Sequence, residues 1–193
     1  MPRHSAKVLE PGDVQRMLVH VDGLRHPRRN RVIVLLSFKA GLRACEIAGL
    51  RWSMVLTSSG AVDETLAIAA DIAKMGAARR LPLHHDLSRA LKALHRSAGH
   101  PREGPVVRSE RDGHMTARSI VNWFAGIYRV LDLQGCSSHS GRRTFITQAA
   151  RLVAKTGGSL RDVQELAGHR AITTTERYIE GDRASQRKLI SLL

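Results

Sequence analysis

The spacing of apolar and polar positions divides the chain into helical segments with one interruption. Val14, Met17, Leu18 and Val21 recur at helical spacing, with Asp13 placed for an N-terminal turn and Gly23 for the stop. The basic cluster His26 to Arg31 gives way to an apolar run from Val32 to Ala40, which predicts a central buried helix ending at Gly41. A short helix from Ala44 to Leu50 puts Glu46 on the turn after Arg43, close enough to pair with it or with a neighbour. Between residues 52 and 83 the period changes. Trp52 to Leu56, Thr65 to Ala70 and Arg79 to Leu83 are short, partly β-branched and split by turn residues, so they predict a small antiparallel sheet. Lys74 falls in the turn between the second and third segments.

Helical spacing then returns. Asp86 opens a helix whose stripe is Leu87, Ala90, Leu91, Leu94 and Ala98, and residues 99 to 115 read as loop. Ile120, Phe124, Ile127 and Leu131 line another core-facing helix, with Tyr128 beside them as a core residue. A long helix from Ser138 is expected to carry Phe145, Ala149, Leu152 and Val153 inward until Gly157 and Gly158 end it. Ser159 with Asp162 predicts a capping box for a helix bearing Leu160, Val163 and Leu166, stopped by Gly168. Thr173 with Glu176 predicts a second box, starting the short helix that presents Tyr178. The expected fold is mainly α with a small antiparallel β-sheet. One domain over residues 9–193 is expected, preceded by a loose basic arm over residues 1–8. It ends in a tail, about residues 181–193, whose Leu189, Ile190, Leu192 and Leu193 must dock on the same body or on a neighbour.

Composition adds a partner. The longest apolar run is far too short to cross a bilayer and no secretory signal pattern opens the chain, so a soluble, cytoplasmic protein without a membrane partner is expected. Cys45 and Cys136 are too few for a disulfide framework and have no metal-ligand spacing. The 31 Lys and Arg against 17 Asp and Glu leave a net charge of +14, a field that attracts polyanions such as DNA or RNA. Only 4% of residues are aromatic, so stacking platforms for single-stranded bases are few and duplex DNA is favoured.

The stretch from Ser138 to Tyr178 concentrates the chemistry. Attack on a phosphodiester needs a nucleophile, positive charge on the non-bridging oxygens, and an acid for the departing oxygen. Tyr178 is a usable nucleophile in a cationic setting, and Arg43 and Arg142 can grip a phosphate from two separate helices. His139, His169 and Lys74 can donate hydrogen bonds or shuttle protons near neutral pH. Taken singly, each has an ordinary account: a salt-bridged surface arginine, a turn lysine, a histidine capping carbonyls, a tyrosine at a core edge. Their joint occurrence is what points to a site.

These residues together resemble the catalytic domain of the tyrosine recombinase, or integrase, family. Ala-Gly-Leu-Arg43-Ala-Cys-Glu46 resembles the family's first-arginine motif, and Lys74 ahead of Arg-Arg-Leu-Pro-Leu its β-hairpin lysine. His139-Ser-Gly-Arg142 resembles the His-x-x-Arg box, Leu-Ala-Gly-His169 the second histidine, and Tyr178 the nucleophile. The resemblance runs from about residue 9 to residue 180 and implies the fold of the DNA breaking-rejoining enzymes. It also implies a site-specific recombinase in which Tyr178 forms a 3′-phosphotyrosine and a partner strand's hydroxyl reverses the step, with no metal and no nucleotide cofactor. Arg43, Arg142, His169 and Lys74 would stabilise the transition state, Lys74 as general acid; His139 would assist proton transfer and Glu46 support the site. The implied assembly is a homo-tetramer on double-stranded DNA and a monomer when free, and C-terminal segments in the family are often exchanged between protomers.

Two departures from the family pattern stand out. Gly141 replaces a larger apolar residue inside the His-x-x-Arg box, which is expected to loosen packing behind Arg142. Nearly all of the N-terminal domain that clamps the other DNA face in larger members has no counterpart, as in a naturally short member similar to the fimbrial-switch invertases, or in a fragment. Two other activities fit the same residues: a non-cutting DNA-binding regulator of this fold, and a type IB topoisomerase-like enzyme that relaxes DNA.

Overall fold

The computed structural model describes residues 6–178 and 190–191. In chain order the helices are α1 (Pro11–Asp22), α2 (Pro27–Lys39) and α3 (Ala44–Gly49), then the strands β1 (Thr65–Ile68) and β2 (Arg79–Pro82). There follow α4 (His85–Ser97), α5 (Ala117–Val130), α6 (Ser140–Leu152), α7 (Leu160–Ala167) and α8 (Ile172–Glu176). The arrangement is mostly helical with a two-stranded antiparallel sheet, as the periodicity implies. No helix among the described residues is long and apolar enough to cross a membrane. Residues 1–5 of the expected arm, and the expected tail apart from Ile190 and Ser191, lie outside the described residues.

α2 is the central element. Pro27 sits in its first turn, so the basic cluster belongs to the helix, and Val32 through Phe38 are all buried. α1, α4 and α6 pack around it. Beyond it the chain turns at Gly41 in the left-handed region, φ +63°, and Leu42 N–H reaches back to Leu36 O at 3.0 Å. A side chain at residue 41 is excluded twice, by φ and by Phe145 Cδ1, 2.4 Å from where a Cβ would stand.

β1 and β2 pair with Thr65 opposite Pro82 and Ile68 opposite Arg79, burying Leu66, Ile68 and Leu81. The expected third strand is absent. Trp52–Met54 forms a 3₁₀ turn, and only Leu56 makes an isolated bridge, to Val62. Trp52, Met54 and Val55 are all buried, whereas a strand with one face to solvent would turn Val55 outward, and Trp52 N–H bonds to Gly104 O.

Other expectations change at helix ends. Ala98 is exposed and the buried position at the end of α4 is His95. Leu152 is 53% exposed, because α6 tightens there into a 3₁₀ turn, Val153–Thr156, ending at Gly157. The Ser159–Asp162 capping box forms, whereas the Thr173–Glu176 box does not. α8 starts at Ile172 after Ala171, which carries no capping side chain. The loose arm ends by residue 7, where Lys7 N–H bonds to Gly135 O; the Leu9 amide then donates to Thr144 Oγ1 in α6.

The buried apolar residues form two clusters. The larger gathers around α2; the smaller holds Ile146, Val163 and Ala167 with Phe145, Ala149, Val153, Leu160 and Tyr178 against them. Arg142 joins the two sides, donating to Gly41 O at 2.7 Å and to Ala167 O at 2.6 Å.

Candidate active site

Glu46 anchors the site from below. Its carboxylate is fully buried, accepting from the Arg43 amide at 2.8 Å and from Arg43 Nη1 at 3.1 Å. Arg79 grips the same carboxylate with both guanidinium ends, at 2.9 and 3.0 Å. Burial alone would raise the Glu46 carboxyl, but the hydrogen bonds and charges of Arg79 and Arg43 outweigh it and hold it below its ordinary value. Arg79 also donates through Nε to Leu166 O, so one side chain ties β2 to α3 and to α7. Arg79 was absent from the expected site. Its signal was strand alternation, which puts Arg79 on the inward face with Leu81.

Arg142 is buried at the start of α6. Besides the two carbonyls, its Nη2 donates to His169 Nε2 at 3.0 Å. Burial and the neighbouring Arg43 charge pull Arg142 down to about 10, so it remains a cation at neutral pH. For His169, burial and then the charges of Arg142, Arg43 and Arg79 push the imidazole down to about 4. A guanidinium has only donors, so Nε2 is the acceptor, the proton of the neutral ring sits on Nδ1, and Nδ1–H donates to Thr175 Oγ1 at 2.9 Å. Near-neutral proton exchange, expected of His169 from its residue type, is therefore disfavoured by its surroundings. Thr175 is fully buried and was not foreseen; nothing in the sequence distinguishes it from Thr173 or Thr174. Gln164 Nε2 holds the segment that carries His169 by donating to the carbonyls of residues 169 and 170.

The packing expected to loosen at Gly141 is in fact close, with α6 pressed against Ser37 and Phe38 of α2. A Cβ there would stand 2.1 Å from Ser37 Oγ and 2.9 Å from Ser37 Cβ. Absence of a side chain lets the two helices approach, which seats Arg142 against Gly41 O.

The remaining residues meet at one cleft of about 420 Å³, lined by Arg43, Lys74, His139, Arg142, His169 and Tyr178, with Arg143 and Thr174 among the other walls. Lys74 opens a 3₁₀ turn, Lys74–Gly76, at the tip of the hairpin. His139 stands exposed just ahead of α6. Tyr178 follows α8, its amide bonded to Thr175 O; its ring stacks on His169 with centroids 5.7 Å apart, and the Arg143 guanidinium lies 5.7 Å from its centroid. All six expected site residues thus share a wall of one cavity, and Glu46 lies beneath it. Elsewhere, His84, His85 and Asp86 bring three metal-ligand groups together, but Arg89 occupies the Asp86 carboxylate and His84 Nδ1 accepts the Asp86 amide.

The chain matches the model of the phage integrase family over residues 7–184. It is 30% identical over 154 residues to the tyrosine recombinase XerC of Xylella fastidiosa, covering 80% of this chain and 49% of that protein. With XerC of Xanthomonas campestris pv. campestris it is 27% identical over 181 residues, 94% of this chain and 53% of the relative. The chain thus spans about half the length of these relatives. Among solved structures, the Tn1549 transposon integrase in complex with a circular intermediate DNA superposes with a TM-score of 0.76 at 15% identity, over 98% of this chain and 66% of that one. The XerA recombinase superposes with a TM-score of 0.71 at 19% identity, over 100% and 65%. Both share the fold.

Proposed function

Because the chain belongs to the phage integrase family, we propose that it is the catalytic domain of a tyrosine-type site-specific recombinase acting on double-stranded DNA. The observation that carries this reading is the cleft in which Arg43, Lys74, His139, Arg142, His169 and Tyr178 meet. The DNA-bound state of the Tn1549 integrase and a net charge of +14 support a duplex partner.

In this mechanism the Tyr178 hydroxyl oxygen attacks the scissile phosphorus and the bond to the 5′ oxygen breaks, leaving a 3′-phosphotyrosine and a 5′ hydroxyl. Lys74 gives its proton to the departing oxygen, and His139 assists removal of the phenolic proton. Arg43 and Arg142 neutralise the charge that grows on the non-bridging oxygens, so neither a metal nor a nucleotide is needed. Arg142 uses three of its donors on Gly41 O, Ala167 O and His169 Nε2, which fixes its plane and leaves the others for phosphate. His169 acts through that bond, orienting the guanidinium as a neutral acceptor. Rejoining to a partner strand reverses the same steps, with four copies assembled on two duplexes.

The test is a pool of nicked duplexes of randomised sequence, in which loss of a short 3′ fragment traps the covalent complex. Detergent-resistant adducts with the wild type and none with Tyr178→Phe are expected. No adduct from any sequence sinks the enzymatic reading and leaves a non-cutting DNA binder. Plasmid relaxation without recombinant junctions points instead to a topoisomerase.

A further inference from the structure

Lys74 sits on a turn that little else holds in place. No residue of its turn is buried, and the backbone bonds there are local, Gly76 N–H to Ala73 O and Ala78 N–H to Gly76 O. Met75 adopts φ +59° and is 65% exposed, so packing does not anchor the tip. Among the described residues, one hydrogen bond reaches the turn from outside the hairpin: Arg170 Nη2 donates to Met75 O at 2.7 Å. Arg170 directly follows His169, and Gln164 Nε2 holds the carbonyls of both residues. The segment presenting His169 to Arg142 therefore also reaches across to the turn presenting Lys74.

We infer that Arg170 is a positioning residue for the general acid: its guanidinium on Met75 O sets the Lys74 turn at the cleft, so that Lys74 and His169 are placed as one unit. The inference rests on the reading of Lys74 as the proton donor to the 5′ oxygen. A general acid works only within hydrogen-bond reach of the oxygen it protonates, and a tip free to wander by an ångström loses much of that benefit. The carbonyl of residue 75 belongs to the peptide joining Met75 to Gly76, one residue beyond Lys74, so a bond at that carbonyl restrains the short turn that carries Lys74. Arg80, on the neighbouring β2, serves as a charge control, because it donates to Thr65 Oγ1 and not to the turn.

The experiment uses single-turnover cleavage of a nicked duplex carrying a recovered site, in two forms: one with the natural 5′ oxygen, one with sulfur bridging phosphorus and the 5′ carbon. Attack by Tyr178 expels a thiolate from the second form, which needs no proton, so general-acid defects vanish on it. Lys74→Ala is expected to be slow on oxygen and restored on sulfur. Arg170→Ala is expected to be slowed about tenfold on oxygen and to lie within about twofold of wild type on sulfur, with Arg170→Lys recovering part of the loss. Arg80→Ala is expected to change both forms equally. Failure of sulfur to restore Lys74→Ala overturns the general-acid reading and this inference with it. Restoration of Lys74→Ala alone, with Arg170→Ala slow on both forms or unimpaired on oxygen, overturns only the role of Arg170.

Discussion

Arg142 Nη2 lies 3.0 Å from His169 Nε2, and burial of the ring together with that guanidinium keeps the histidine neutral. A second cation on Nε2 would face the guanidinium, with Arg43 and Arg79 also close enough to oppose it. The ring is therefore an acceptor toward Arg142 and a donor toward Thr175.

The first prediction concerns pH. The native His169 value of about 4 lies below the ordinary 6.5, so the unfolded chain takes up a proton before the native one does. The stability this group supplies is complete above 6.5 and is lost as pH falls toward 4. The His169 ring resonances should stay those of a neutral imidazole from about pH 8 down to about pH 5. The melting temperature of His169→Gln should fall less than that of wild type over the acid window. A ring that titrates near 6.5 contradicts the assignment.

The second concerns Thr175. Thr175→Val keeps the shape and removes the acceptor for Nδ1–H, leaving a half-buried donor unmatched, at about 1–3 kcal/mol. Urea unfolding of this variant, alone and combined with His169→Gln, measures the coupling. Strict additivity of the two changes argues against the bond.

A third prediction addresses Glu46. Glu46→Ala leaves Arg43 and Arg79 facing each other without a counter-charge, which should lower stability by about 3–5 kcal/mol. Loss of strand cleavage should accompany it even where the variant remains folded, because Arg43 and the β2–α7 tie through Arg79 share that carboxylate. An Arg43 left in place, with cleavage near wild type, is the contrary outcome.

The fourth tests the helix contact at Gly141. Gly141→Ala drives a methyl into Ser37 and should cost about 1–3 kcal/mol. Ser37→Gly removes both the oxygen and the Cβ that clash, so the double variant should lose less than the sum of the two single ones. Calorimetry on the four proteins reads the difference; no interaction between the sites refutes the contact.

The local chemistry of Arg43, Lys74, His139, Arg142, His169 and Tyr178 was legible because each sits in a short motif whose neighbours set its element. Gly41 ends a helix two residues before Arg43 and Gly168 ends one directly before His169, and both adopt positive φ. Arg79 and Thr175 were not legible, since what distinguishes them is a partner far along the chain or the burial of one threonine among three. The Trp52 segment misled for a related reason: its β-branched and aromatic composition suits a strand, but three inward side chains in four residues suit only a turn pressed onto the core.

By itself the sequence determined the helical periods, the hairpin, the basic charge and the residue types of the site. These are local properties of spacing, side-chain chemistry and glycine placement. The tertiary structure decided that Gly141 brings α6 close to α2, that Arg79 makes Glu46 a shared counter-ion, and that His169 stands neutral. Each of these depends on burial and on charges brought together from distant parts of the chain, and a pKa or a clash exists only once those groups are in contact.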